Sequence, residues 1–118
     1  MSLDVYLYAA VKCEHCGKAN KSEQVLYTAN ITHNLSMMAQ AAGLYTVLWC
    51  PEEIDLTLAV DLIRSLEIGR DTLTIHASQF KAMNPKNGWG TYDDLLEFVE
   101  NYLDACREHG SAYVVASV

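Results

Sequence analysis

The stretch YTANITHNLS, residues 27–36, is where a strand-like pattern gives way to a helix-like one. Before it, residues 4–12 (DVYLYAAVK) alternate with the period of two that is typical of a strand, and residues 24–29 (QVLYTA) resemble a partner strand. The polar segment between the two contains Gly17 and turn-forming residues, which can close an antiparallel hairpin. The stretch therefore predicts a hairpin on its N-terminal side and a helix on its C-terminal side.

Helical spacing dominates the middle of the chain. Thr32 or Asn30 can cap the first helix, because a side-chain oxygen satisfies a free N–H of the first turn. Residues 44–49 (LYTVLW) form a buried apolar run, which we predict to be strand or extended. Residues 57–76 have helical spacing with Gly69 as a weak point, and a second helical piece follows.

The C-terminal third predicts a loop, a helix and a strand. NPKNGWG, residues 84–90, is made of turn dipeptides. Thr91 and Asp94 resemble a capping box, and the amphipathic stripe after them ends at Gly110. Residues 112–118 form a closing strand. We predict one α+β domain over residues 1–118, in which a small, mostly antiparallel sheet from the N-terminal hairpin and the C-terminal strand is covered by three to four helices.

Composition and charge narrow the function. A chain of 118 residues, 51% of them hydrophobic, can form its own core but is small enough that we expect a homo-oligomer. The net charge of −7 argues against general binding to nucleic acid, because phosphate backbones require basic surface. No run approaches the roughly 18 apolar residues of a membrane span, and Asp4 stands where a signal peptide is basic. We expect a cytoplasmic protein.

The cysteines raise the question of a metal site. Cys13 and Cys16 form the C-x-x-C-G half of a zinc ribbon, but two further ligands would have to come from elsewhere in the chain or from another subunit. The alternative is a pair of free thiols at the tip of the hairpin. We predict no required cofactor and leave zinc at this pair as the open alternative.

Three polar clusters are candidate ligand sites. The first lies at the strand–helix junction, where one cap would not use all the polar residues, and the second surrounds a glycine-rich loop whose aromatic rings can stack on a base or sugar. The third pairs an aromatic ring with two carboxylates, for which a solvated acidic turn is the alternative. The residues are Tyr27, Asn30, Thr32, His33 and Asn34; Asn84, Asn87, Trp89 and Tyr92; and Trp49 with Glu52 and Glu53.

Several of these segments together resemble a known group of proteins. Four segments are similar to segments of small uncharacterised proteins of tailed phages and prophages, which share the signatures YxANITHNL and NPxNGWG. They are MSLDVYL at the start, YTANITHNL, LW-x-PEE and NPKNGWGTYDDLLEFVENYLDAC. The resemblance covers nearly the whole chain after the CEHC hairpin. It implies an infected bacterial cell as the setting, but it brings no catalytic residues with it.

Two functions of different classes follow from these clusters and that setting. The first is a homo-oligomeric binding protein that sequesters a nucleotide-derived immune signal, either cyclic or ADP-ribose-like, and so counters host defence. The second is a phosphodiesterase or related hydrolase of the same signals, with His33 as general acid/base and with Glu52, Glu53 or a metal completing the site. A third alternative is a protein-binding inhibitor of a host factor, for which the acidic surface is the only indication. The sequence contains no Walker or Rossmann glycine loop, no Gly-x-Ser-x-Gly elbow and no HExxH motif, so it does not indicate any of the enzyme classes that these motifs mark.

Overall fold

The N-terminal hairpin is the framework of the fold. A computed structural model describes residues 2–12, 19–86, 88 and 90–118. In it β1 (Ser2–Lys12) pairs antiparallel with β2 (Ala19–Thr32), from Ser2 opposite Thr32 to Lys12 opposite Ala19. Register shifts in the outer half of the hairpin add residues to β2, which is why β2 is longer than β1.

A C-terminal strand completes the sheet on the other side of β1. β3 (Tyr113–Ser117) runs antiparallel to β1, so the strand order is β2-β1-β3 and β2 lies at an edge. Alternate side chains of β1, those of Leu3, Val5 and Leu7, are fully buried. The predicted α+β class and the origin of the sheet in the two ends of the chain are confirmed.

Helices in the middle of the chain cover this buried face. Two of them are long, and the others are single turns or little more, which is why the described part of the chain holds more helices than predicted. They are α1 (Ser36–Ala41), α2 (Tyr45–Trp49), α3 (Ala59–Ile75), α4 (Ala77–Lys81) and α5 (Tyr92–Glu108), with 3₁₀ turns at His33–Leu35 and Pro51–Ile54. Within the described residues, none of these helices has the length and apolar character needed to cross a bilayer.

The prediction of an extended conformation for residues 44–49 is wrong. Leu48 N–H donates to Leu44 O and Cys50 N–H donates to Thr46 O, each over 3.0 Å, which are the hydrogen bonds of a helical turn. Val47, Leu48 and Trp49 are all buried, and the exposed residue of the segment is the aromatic Tyr45, so no charged or strongly polar side reveals the helical period. A short apolar run cannot by itself distinguish a buried strand from a buried helix.

The last helix, α5, positions the candidate site. The predicted capping box is present, since Thr91 N–H donates to the Asp94 carboxylate over 2.9 Å and Asp94 N–H donates to the Thr91 hydroxyl over 3.3 Å. Its apolar stripe packs into the core, and the helix contacts both α3 and β2. One side of α5 therefore lies beside the exposed edge of the sheet.

Candidate functional site

A cleft with a volume of 380 Å³ lies between β2 and α5. It lies within the range of about 300–1,000 Å³ that is typical of small-molecule sites, near the lower end. The lining residues come from the last part of β2, from α5 and from the loop before α5. They are Tyr27, Ala29, Asn30, Ile31, Thr32, Gly90, Asp94, Glu97, Phe98 and Asn101.

The helical wall of the cleft follows from sequence spacing. Positions 94, 97, 98 and 101 are separated by three or four residues, so their side chains lie on one side of α5. Phe98 is only 6% exposed and belongs to the core, whereas Asp94, Glu97 and Asn101 are exposed. This side is the border between the buried stripe and the solvent-facing surface, and it offers a ligand both apolar area and hydrogen-bonding groups.

On the strand side, Tyr27 is held by the ring beneath it. The Tyr27 and Tyr102 rings are stacked, with centroids 6.0 Å apart and planes 8° from parallel. Burial, followed by the nearby Cys106 thiol, raises the pKa of Tyr27. Its phenol is therefore protonated at neutral pH and can either donate or accept a hydrogen bond.

Asn30 is oriented by the strand next to it. Its Nδ2 donates to the Asp4 carboxylate over 2.6 Å and to the Ser2 hydroxyl over 2.9 Å. Asp4 is the cross-strand neighbour of Asn30, so the hairpin register fixes this contact. With the amide nitrogen held in this way, the side-chain oxygen is the group of Asn30 that a ligand can use.

Gly90 closes one end of the cleft. Its φ is +94°, and an added Cβ would lie 2.5 Å from Thr32 Cγ2 and 3.0 Å from Leu35 Cγ, so only glycine fits without movement. The Thr32 hydroxyl accepts from Asn34 N–H over 3.4 Å, which confirms the predicted cap at Thr32. Asn34 itself is exposed and is not part of the cleft lining.

The cleft is acidic. Among the described residues that line it, only Asp94 and Glu97 carry formal charge, and both are negative. Two carboxylates beside one cleft favour a ligand that is cationic or that donates hydrogen bonds, and they disfavour one that places phosphate against them.

His33 and Trp49 meet at a separate place. Trp49 Nε1–H donates to His33 Nδ1 over 3.1 Å, and the two rings are in edge contact with centroids 6.0 Å apart. Tyr45 stacks on Trp49 at 5.5 Å, and Trp49 is only 5% exposed. His33 would therefore have to transfer a proton through Nε2, and neither ring lines the cleft.

Asn84 and Tyr92 join structural elements. The Asn84 side-chain oxygen accepts from Tyr92 N–H over 2.7 Å, at the first turn of α5. The Tyr92 hydroxyl donates to Leu73 O over 2.7 Å, its ring is 3% exposed, and Lys81 lies over the ring at 5.6 Å from its centroid. The structure uses both residues to attach α5 to its neighbours.

The other predicted site residues are either outside the described residues or away from the cleft lining. Asn87 and Trp89, predicted to bind a ligand, and Cys13 and Cys16, the possible zinc ligands, lie outside the described residues. Glu52 and Glu53 are exposed on the 3₁₀ turn at Pro51–Ile54. Within the described part of the chain, no three His, Cys, Asp or Glu residues come together in a way that could hold a metal ion.

One wall of the cleft could be predicted from the sequence, and the other could not. Tyr27, Asn30 and Thr32 line it as predicted members of one cluster, whereas Glu97, Phe98 and Asn101 were not singled out. The available signal was the helical spacing of these α5 residues with Asp94. Polar residues at that spacing are common on any solvated helix, so the signal becomes specific only once β2 is known to lie opposite.

Comparison of the chain with protein-family models, with curated proteins and with solved structures finds no match.

Proposed function

We propose that this protein is a binding protein whose β2–α5 cleft holds the nucleoside part of a ribose-containing ligand and leaves the phosphates in solvent. One observation carries the proposal: the cleft has the size of a small-molecule site, and its charged lining groups are two carboxylates. A ligand whose buried part is neutral and rich in hydroxyl and amine donors meets both conditions.

Different residues of the cleft contact different parts of the ligand. The Glu97 carboxylate accepts hydrogen bonds from the adjacent hydroxyls of ribose, as acidic residues do in nucleotide-binding folds. The side-chain amides of Asn101 and Asn30 bind the polar edge of the base. The Phe98 and Tyr27 rings supply apolar surface beside it.

A nucleoside site of this kind limits which nucleotide-derived immune signals the protein could bind. Sequestration of a nucleotide-derived signal remains our proposal for the biological role, and ADP-ribose-like signals suit the cleft better than cyclic ones. In a 3′,5′-cyclic nucleotide the phosphate is esterified to one of the two adjacent ribose hydroxyls and therefore holds its negative charge beside the carboxylates. The adenosine ribose of ADP-ribose keeps both its 2′- and 3′-hydroxyls free, and the phosphates on its 5′-oxygen can extend away from Glu97.

Calorimetric titration with adenosine, ADP-ribose, cyclic AMP and inorganic phosphate tests the ligand class. We expect adenosine and ADP-ribose to bind and the other two not to bind. Glu97→Gln should weaken binding about tenfold, which corresponds to roughly 1.4 kcal/mol. Glu100→Gln is the matched control, because Glu100 is exposed on the same helix but outside the cleft. Equal losses in the two variants, or binding of phosphate alone, would contradict the proposal.

Mass analysis of the bound ligand separates sequestration from hydrolysis. We expect ADP-ribose incubated with the protein to be recovered intact after denaturation, and His33→Ala to bind it as well as the natural chain does, because His33 does not line the cleft. Turnover of ADP-ribose to a product, lost in His33→Ala, would instead support the hydrolase.

A further inference from the structure

The outer side of α3 carries large apolar side chains in solvent. Val60 is 53% exposed, Ile68 is 55% exposed and Ile75 is 75% exposed. Scattered exposed apolar residues are ordinary, but these three lie along one helix. Arg64 and Asp71 are exposed between them.

These five residues form a single stripe. Successive residues of a helix turn by about 100°, so Val60, Arg64, Ile68, Asp71 and Ile75 lie within about 80° of the helix circumference. The stripe is opposite the buried side of α3, which contains Leu62, Leu66 and Leu73. We call it the α3 stripe.

The α3 stripe is complementary to itself. If a second α3 lies antiparallel, with the two-fold axis between Glu67 and Ile68, then Val60 faces Ile75 and Arg64 faces Asp71. Each of these contacts occurs twice, as a two-fold interface requires. The two Ile68 side chains meet near the axis.

The charges favour this pairing over other occupants. Arg64 forms no ion pair within the part of the chain that the structure describes, whereas Asp71 contacts Arg70 over 3.2 Å. In the antiparallel pair each Arg64 gains a carboxylate partner at the border of the apolar contact. Glu67, which also lies near the axis, is held by Arg107 of the same chain over 3.3 Å.

We propose that the α3 stripe is a homodimer interface in which two copies of the chain pair their α3 helices antiparallel. The interface uses five residues per copy as its centre, fewer than the roughly 20–30 residues per side of a standard stable interface, so the dimer is weak. The stripe lies on α3, whereas the ligand cleft is formed by β2 and α5, so the dimer leaves the cleft open and does not depend on the proposed ligand.

A charge exchange at the Arg64–Asp71 pair tests the proposal with the full chain. Sedimentation equilibrium over a concentration series should show a reversible monomer–dimer equilibrium. Arg64→Asp and Asp71→Arg should each weaken the dimer at least tenfold by placing like charges opposite each other. The double variant, with Arg64→Asp and Asp71→Arg together, should restore it, because the pair is re-formed with its signs exchanged.

Controls separate this surface from general effects of charge and folding. Glu100→Arg makes the same charge change as Asp71→Arg, but at an exposed position of α5. It should leave the dimer intact. Ile68→Glu should abolish it, and circular dichroism should show that each variant keeps its helices. A natural chain that is monomeric at high concentration would overturn the proposal, and so would a dimer that ignores Ile68→Glu or is not restored in the double variant.

Discussion

At the scale of single residues, Gly88 and Gly90 offer a matched pair. Both have positive φ, +75° and +94°, but an added Cβ at Gly88 meets nothing within 4 Å, whereas one at Gly90 meets Thr32 and Leu35. We expect Gly88→Ala to cost about 1 kcal/mol through backbone conformation alone. Gly90→Ala adds a steric clash and should cost about 2–4 kcal/mol. Urea unfolding of the two variants measures the difference, and equal losses would mean that the loop is not packed on Thr32.

For Asn84 and Tyr92, the chemistry of the side chain alone does not distinguish a ligand-binding role from a structural one. Both have the chemistry of ligand-binding side chains and were predicted to bind a ligand. Their hydrogen bonds instead go to a helix start and to Leu73 O. Thr32 could be predicted as a cap because the partner of a cap is a local N–H, whereas the partner of the Tyr92 hydroxyl lies on a different helix.

At the scale of elements, the contact between α2 and α3 depends on Gly69. Glycine inside a helix costs about 1 kcal/mol relative to alanine, so the sequence marks Gly69 as a weak point of α3. The helix nevertheless continues through Gly69. The position requires glycine because an added Cβ would overlap the fully buried Leu44 side chain at the start of α2.

Gly69→Ala therefore sets helix propensity against packing. We expect packing to prevail and the variant to lose about 1–3 kcal/mol in unfolding free energy, despite the better helix former. Thr74→Ala, at an exposed position of the same helix, is the control and should change stability by less than about 0.5 kcal/mol. Stabilisation of Gly69→Ala would show that Leu44 can move aside.

The elements were predicted with unequal success for a physical reason. The α5 helix has a cap, an apolar stripe and a polar face, so its period is visible in the sequence. In residues 44–49, four of the six side chains are buried and the exposed one, Tyr45, is aromatic, so the sequence shows no helical period there.

At the scale of the whole molecule, the cleft exists because two segments far apart in the sequence become neighbours. Tyr27, Asn30 and Thr32 could be predicted as site residues because the strand–helix junction contains more polar side chains than one helix cap uses. Nothing local indicates that Glu97 and Asn101 face them, because that placement depends on how α5 lies across the sheet. The same tertiary arrangement keeps His33 and Trp49 away from the cleft.

The packing of β2 on α5 also brings together three weakly acidic side chains, those of the buried Tyr102 and Cys106 and of the half-buried Tyr27. Burial raises the pKa of the Cys106 thiol from 9.0 to about 12, and burial first, then Cys106, raises the pKa of both tyrosines. The folded chain keeps these protons at pH values where the unfolded chain releases them. Their contribution to stability is therefore complete below about pH 9 and is lost as the pH rises from there toward 12.

We expect the free energy of unfolding, measured in urea at pH 7, 9, 10 and 11, to fall above pH 9, with the thiol contributing up to about 1.4 kcal/mol per pH unit. Cys106→Ala should be less stable at pH 7, because it leaves a cavity in the core, but its stability should fall less steeply above pH 9. The slope of unfolding free energy against pH distinguishes the two effects, because a cavity alone lowers the stability by the same amount at every pH. Parallel curves for the two chains would show that the thiol does not keep its proton in the fold.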